Sequence, residues 1–108
     1  MITIKYDRKH YLLEVDGHAQ SGEAGHDLVC SAVSILVYTA AANAERMSDE
    51  KSRFHKPKIE IEQGKATIKC RPTTGFKAVA KLAMDSVCIG FDILAQKYPA
   101  YVQYTVVG

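Results

Sequence analysis

One cysteine lies close in sequence to two histidines, and these residue types together suit nucleophilic catalysis. Cys30 follows His18 by twelve residues and His26 by four. The thiolate is the reactive form of a cysteine, and a nearby histidine can accept the thiol proton. The residues alone leave three interpretations open: a packed core thiol, a nucleophile with one histidine as its base, or a zinc ligand together with both histidines.

A predicted helix would place Cys30 where a thiolate is stabilised. Asp27 precedes a long run of helix-forming residues, and we expect it to cap a helix from about Leu28 to Ala44. Cys30 would then lie beside N–H groups that lack intrahelical partners, which favour a thiolate and can bind an oxyanion. The Asp27 carboxylate would oppose this effect and favour the protonated thiol. Ser34, one turn later on the same face, would assist the thiolate, line the pocket or bond back to its own helix.

The two candidate bases differ in the element that holds them. His18 follows a predicted strand, whereas His26 stands at the end of a glycine-rich stretch. A residue at a strand end is held by the sheet, so His18 is the better candidate base. The glycines, Gly22 and Gly25 among them, would either form turns or make a mobile loop that admits a peptide and closes over it.

The other two cysteines stand in different surroundings. Cys70 ends a predicted strand, and Cys88 lies inside a predicted helix with no histidine near it in sequence. We expect both to be buried structural thiols. Three cysteines without a CxxC pair also argue against a disulfide framework and against a structural zinc site.

Composition indicates one globular domain over residues 1–108. Hydrophobic residues make up 47% of the chain and charged residues 24%, as in ordinary soluble domains. The N-terminal segment MITIKYDRKH has no apolar signal region, and no uninterrupted apolar run reaches the roughly 18–20 residues of a membrane span. We therefore expect a cytoplasmic protein. A net charge of +2 permits a nucleic-acid partner without requiring one.

Periodicity predicts the element order β-β-α-β-β-α-β. The expected strands lie in ITIKYD, YLLEVDG, KIEIE, ATIKC and YVQYTVV. The second helix should be capped by Thr73 or Thr74 and end near Tyr98, before Pro99. The charged segment ERMSDEKSRFHKP should be an exposed connection that ends at Pro57.

The predicted fold class is α+β, a single domain with a mainly antiparallel sheet and two helices packed on one face. The first helix is apolar on nearly all sides. A helix of this kind must be covered on more than one side. In a domain this small we expect a second copy of the chain to supply the extra cover, and hence a homodimer.

The stretch from Gly17 to Ser34 resembles the signature of the bacterial ribosomal-processing cysteine protease family, Prp. The matching residues are Gly17-His18-Ala19, Gly22, Gly25 and Asp27-Leu28-Val29-Cys30-Ser31-Ala32-Val33-Ser34, and KYPAYVQ near the C-terminus is also similar. The resemblance places the family's catalytic histidine on His18, its nucleophile on Cys30, its motif acid on Asp27 and its motif serine on Ser34. His26 falls on a position that the family leaves variable, and the glycine loop would act as a gate.

The resemblance implies a peptide-bond hydrolase that needs no cofactor and no metal. Its substrate would be ribosomal protein twenty-seven of the large subunit, made with a short N-terminal extension that the protease removes. It implies neither a membrane nor direct contact with nucleic acid. Two other classes stay open: a non-enzymatic ribosome-associated binding module, and a zinc hydrolase that uses His18, His26 and Cys30.

Overall fold

The computed structural model describes residues 1–17 and 24–108, with the side chains of residues 1–17 and of Leu28 onward. The elements are β1 (Ile2–Asp7), β2 (Leu12–Asp16), α1 (Ala24–Met47), β3 (Phe54–Glu62), β4 (Lys65–Pro72), α2 (Lys77–Lys97) and β5 (Val102–Val107). A single 3-10 turn, Thr74–Phe76, leads into α2. The predicted order of strands and helices is confirmed.

The five strands form one mixed sheet in the order β3-β4-β2-β1-β5. β1 pairs with β5 in parallel, and the other neighbouring strands pair antiparallel. The parallel pair arises because β5 returns to the edge of the sheet after the α2 crossover. The expectation of a mainly antiparallel sheet is confirmed.

Both helices cover the same face of the sheet, as predicted. Alternation along the strands turns one set of side chains toward the helices and the other set away from them. The buried strand residues on the helical side are Ile2, Ile4, Tyr6, Leu13, Val15, Phe54, Ala66, Ile68, Cys70 and Val102. The helices complete this core with Val29, Val33, Val37, Ala40, Ala41, Ala44, Ala80, Met84, Val87, Cys88 and Phe91.

β3 begins earlier than its alternating sequence suggests. Phe54 is buried, and its ring packs against Phe76 with 6.1 Å between the centroids. Pro57 therefore lies inside the strand, at an irregularity in the pairing between His55 and Lys58. An edge strand tolerates a proline at such a bulge, because the missing N–H breaks no ladder bond. The prediction of an exposed connection from Glu45 to Pro57 is wrong at both ends, because α1 continues to Met47 and β3 begins at Phe54.

Neither threonine caps α2. The Thr73 hydroxyl donates instead to the Arg53 carbonyl at 2.9 Å, and the Thr73 backbone N–H donates to the same oxygen at 2.9 Å. Phe76, the residue that precedes α2, makes no side-chain capping bond. Thr73 thus fastens the end of β4 to the start of β3, a tertiary contact that competes with the predicted cap.

α1 contains a segment as long and apolar as a membrane-spanning helix. By length and composition alone, Leu28–Met47 would suffice to cross a membrane, with a mean hydropathy of 1.4. The core helix of a soluble protein passes the same test. Val33, Val37 and Ala40 of this segment are buried in the core, so packing inside the domain accounts for one face of the helix, while Ile35 and Tyr38 on the other side are exposed.

Candidate active site

Cys30 lies on α1 at the border between core and solvent. The preceding residue, Val29, is buried, and Val33 one turn later is buried as well. The Cys30 side chain is half-buried and packs against this core. It keeps its thiol rather than entering a disulfide. The fold thus holds the sulfur in place on one side and leaves part of it accessible on the other.

The start of α1 differs from the prediction. The helix begins at Ala24, so Asp27 is its fourth residue and not the cap that precedes it. Cys30 is the seventh residue, about 9 Å along the axis from the first, and the regular helical bond to the residue four positions earlier uses its N–H. The expectation that unpaired helix-terminal N–H groups lie beside Cys30 is therefore wrong.

Gly25 also belongs to this extended helix. It lies in the first turn of α1, whereas the glycine-rich stretch was expected to be a loop as far as His26. A glycine costs a helix only about 1 kcal/mol relative to alanine, and a helix of 24 residues with a buried face accommodates that cost. Gly22 lies outside the described residues, so the gate stays a prediction.

Ser34 keeps its predicted relation to Cys30. The two residues are one turn apart on α1 and share a face, and both are half-buried. A hydroxyl at this position can line the same pocket as the sulfur. The side chain of Asp27 lies outside the described part of the chain, as does that of His26.

His18 lies outside the described residues, but the residue before it marks where the chain leaves the sheet. The Gly17 N–H donates to the Gly64 carbonyl at 2.7 Å. Gly17 has φ +90°, and a Cβ atom there would lie 2.7 Å from the Met1 carbonyl oxygen. Only glycine fits this position. The end of β2 is therefore anchored between the start of β1 and the β3–β4 turn.

Cys70 and Cys88 have the surroundings of structural thiols. Their exposed fractions are 2% and 3%. Burial raises the pKa of the Cys70 thiol to about 11, and burial likewise raises the pKa of the Cys88 thiol to about 11. Both thiols therefore stay protonated near neutral pH, as the sequence-based expectation of a structural role requires.

The zinc alternative depends on side chains that are not described. Among the described residues, no three His, Cys, Asp or Glu side chains form a group that could hold a metal ion. The two histidines of the proposed zinc set, His18 and His26, are not among the side chains searched. The zinc hydrolase therefore stays an alternative prediction.

Sequence reasoning missed a polar cluster at the opposite end of the sheet. The Tyr6 hydroxyl donates to Asp85 Oδ1 at 2.7 Å, and Arg8 donates to the same carboxylate through Nε at 3.1 Å and Nη2 at 2.8 Å. The Arg8 guanidinium lowers the pKa of the Asp85 carboxyl. Burial, followed by the bond to Asp85, raises the pKa of the Tyr6 phenol. The only signal in the sequence was an acidic residue beside the apolar stripe of α2.

This cluster borders a shallow cavity of about 320 Å³ that Cys88 and Tyr104 also line. β1 and β2 run antiparallel, so Tyr6 and Arg8 lie at the end of the sheet away from Gly17. The cluster is therefore separate from the end at which His18 follows β2. It links β1 to α2 rather than contributing to the candidate active site.

One family model matches nearly the whole chain, and several solved structures share its fold. The sequence model of the family described as cysteine protease Prp matches residues 1–103. The fold matches that of an essential ribosomal processing protease Prp from Staphylococcus aureus, solved with a substrate peptide, at 21% identity and a TM-score of 0.74 over 98% of this chain and 99% of that chain. The same protease with a covalently linked product peptide matches at 22% identity and a TM-score of 0.72, with the same coverage of both chains.

A further structure, SMU.848 from Streptococcus mutans, is 24% identical with a TM-score of 0.72, over 98% of this chain and 91% of that chain. The comparison with curated protein sequences finds no match. The structural matches establish that the whole chain has the fold of these proteins.

Proposed function

The chain belongs to the cysteine protease Prp family and is a cysteine protease, and on this basis we propose that it removes the N-terminal extension of ribosomal protein twenty-seven of the large subunit. The match over residues 1–103 carries the proposal. The Staphylococcus aureus relative, a ribosomal processing protease solved with a substrate peptide, supports the substrate class. We place the reaction in the cytoplasm, where ribosomal proteins are made.

The proposed mechanism is acyl transfer through Cys30. His18 takes the thiol proton, and the sulfur attacks the carbonyl carbon of the scissile peptide bond. The carbon–nitrogen bond then breaks, the departing amine receives the proton from His18, and a thioester remains. Water, deprotonated by His18, hydrolyses the thioester and restores the thiol. A half-buried Cys30 on a helix fixed by buried neighbours supports this role.

The remaining motif residues take supporting roles in this proposal. Ser34 shares the Cys30 face of α1 and lines the pocket. Asp27 lies three residues before Cys30 within the same helix, which favours a supporting role over a capping role. Gly22 and Gly25 belong to the gate, and since Gly25 lies in the first turn of α1, opening the gate would unwind that turn.

The proposal is tested with the purified chain and an N-terminally extended ribosomal protein. We expect Cys30→Ala and His18→Ala each to abolish cleavage, and His26→Ala to keep most of it. Cys70→Ala is the matched control, since it removes a thiol that lies in the core. Normal cleavage by a folded Cys30→Ala variant would overturn the proposal.

The two rival classes give different results in a labelling experiment. Iodoacetamide should modify Cys30 faster than Cys70 or Cys88 in a cysteine protease. A binding module would bind ribosomes without turnover that depends on a thiol. A zinc hydrolase would lose activity with a chelator and regain it with added metal, and bound metal would protect Cys30 from the reagent.

We also infer a homodimer that buries the outer face of the helical layer. Large apolar side chains on this face are more than half exposed, among them Ile35 and Tyr38 on α1 and Leu82 and Ile89 on α2. Leu82 and Ile89 are seven residues apart and therefore form one stripe along α2. Patches of this kind mark protein interfaces, and a second copy presents the same stripe for a twofold contact.

Sedimentation measures the dimer directly. We expect the native chain to sediment as a dimer at micromolar concentration, and Leu82→Lys to shift it to the monomer. Val107→Lys places the same charge at an exposed apolar residue on the opposite face of the sheet, so it should leave the dimer intact. A native chain that is only monomeric would rule out the inference.

A further inference from the structure

On β2, β3 and β4, the acidic and basic side chains of the sheet face turned away from the helices concentrate at opposite ends, with Lys65 as an exception at the acidic end. Near the Gly17 end, four acidic residues point outward from β2 and β3: Glu14, Asp16, Glu60 and Glu62. Toward the opposite end, basic residues follow on β3 and β4. The register pairs Lys58 with Lys69 and His55 with Arg71, and we call these four residues the basic block.

The basic block brings like charges together. Lys58 and Lys69 are directly opposite each other on adjacent strands, an arrangement that destabilises a sheet when nothing compensates it. Lys58 contacts Glu60 at 3.5 Å. Arg71 donates to the Lys56 carbonyl at 3.4 Å. Within the described part of the chain, no ion pair includes Lys69 or Arg71. The block therefore has excess positive charge on an exposed surface.

We propose that the basic block binds the phosphate backbone of a nucleic acid. Adjacent strands lie about 4.8 Å apart, and Lys69 and Arg71 are alternate residues about 6.8 Å apart on β4. The bulge between His55 and Lys58 keeps each of them opposite its partner on β4, so the four side chains form a compact cluster of donors. Such a cluster suits a polyanion with closely and regularly spaced charges, which releases counterions when lysine and arginine neutralise its phosphates. The acidic residues at the other end confine the contact to the block.

Two observations define the kind of contact. The block contains no phenylalanine, tyrosine or tryptophan, the side chains on which exposed bases stack, so the contact is to the backbone and not to base sequence. The most exposed apolar side chains, among them Leu28, Ile35 and Leu82, lie on the helical layer, across the sheet from the block. Val107 is exposed on the same face as the block but lies on β5, at the opposite edge of the sheet from β3. A membrane surface would need basic and apolar groups on the same side. This favours a nucleic acid over an anionic lipid surface.

The experiment is fluorescence anisotropy with a short labelled RNA duplex, titrated at several salt concentrations. The Cys30→Ala variant of the full chain is used throughout, so the result does not depend on proteolytic activity. Three Lys and Arg contacts predict a slope of log K against log salt of about −3. Lys69→Ala and Arg71→Ala should each weaken binding and reduce that slope by about one.

Lys65→Ala is the matched control. Lys65 lies on β4 and on the same face, but opposite Asp16 and Glu62, so it is outside the basic block. It should leave affinity and slope nearly unchanged, while a DNA duplex should bind comparably because it offers the same phosphates. The proposal is overturned by absent binding at low salt, by an equal loss in Lys65→Ala and Lys69→Ala, or by tighter binding to anionic phospholipid vesicles than to RNA.

Discussion

Cys30 and Cys88 are both cysteines on long helices that pack on the same face of one sheet, yet their surroundings differ. Cys88 lies on α2 with only 3% of its surface exposed. Cys30 lies on α1, half-buried and near the start of its helix. The secondary structure around them is the same, so the difference between the two thiols comes from what covers them.

β5 and the aromatic residues near it provide the cover over Cys88. The rings of Phe91 and Tyr104 are stacked with 6.4 Å between their centroids, and Tyr104 lies beside Cys88 at the edge of the same cavity. Together with Tyr6 and Asp85, Tyr104 also lines the cavity beside that thiol. Tertiary cover, and not position on a helix, therefore sets how far each of these two thiols is exposed.

The largest expected effect is a difference in alkylation rate. Burial raises the pKa of Cys88 to about 11, so at neutral pH its thiolate fraction is about a hundredth of that of an ordinary thiol. We expect iodoacetamide to label Cys30 at least about a hundred times faster than Cys88 in the native protein. Mass spectrometry of tryptic peptides over time measures both rates. Similar labelling rates for Cys30 and Cys88 in the native protein would contradict the protective effect of burial on Cys88. Denaturant should make the two rates equal.

The next largest effect comes from removing the cover itself. Phe91 is fully buried and stacks on Tyr104. We expect Phe91→Ala to lower the free energy of unfolding by about 3–5 kcal/mol and to speed the labelling of Cys88 more than that of Cys30. Urea denaturation gives the stability. Ile93→Ala, on the same helix at a position that is 46% exposed, is the control and should lower stability much less than Phe91→Ala.

Breaking the polar cluster should have a smaller effect that depends on pH. Arg8 and Tyr6 both favour the charged form of Asp85, and the pKa of this carboxyl is lowered in the folded state. Its contribution is therefore present above the unfolded pKa and is lost as pH falls through the folded value. Because the ion pair is partly exposed, we expect Asp85→Asn to cost about 1–2 kcal/mol at pH 7.

Below about pH 4, the difference between native protein and Asp85→Asn should shrink. Thermal melts at several pH values test this. Asp92→Asn is the control, because Asp92 bonds only the Gln96 amide in the adjacent turn among the side-chain bonds described. A loss of stability that stays constant from pH 7 to pH 3 would contradict the role assigned to the Asp85 charge.

The smallest effect should come from the Tyr104 hydroxyl. This hydroxyl lowers the pKa of the adjacent Cys88 thiol, against the larger effect of burial. Tyr104→Phe keeps the ring stack, so we expect a loss of about 0.5–1.5 kcal/mol and slower alkylation of Cys88. The same labelling assay measures it. Faster labelling would show that the hydroxyl closes the cover rather than tuning the thiol.

Local patterns were enough to predict most of the fold. Alternation in ITIKYD and ATIKC, and the apolar spacing of α2, predicted strands and helices that the structure contains. Failures occurred where distant contacts compete with local preference. Thr73 bonds Arg53 instead of capping α2, and Phe54 is drawn into the core so that β3 begins before Pro57.

For the candidate site, the sequence by itself determined which residues are candidates. Cys30 and His18 lie within residues 1–103, over which the family model matches, and Cys30 lies on the predicted helix. The sequence did not predict that α1 begins four residues earlier, at Ala24. A glycine in the first turn costs the helix only about 1 kcal/mol, so tertiary packing decides whether the helix includes that turn.

Only the tertiary structure decided which distant residues meet. Tyr6 and Asp85 are 79 residues apart and bond at 2.7 Å, and strand register alone sets Lys58 opposite Lys69. The physical reason is that side-chain periodicity is a property of short segments. Strand register, the burial of individual thiols and the grouping of charged side chains are fixed by how these segments pack. The partly exposed Cys30 thiol and the basic block therefore exist only in the folded chain.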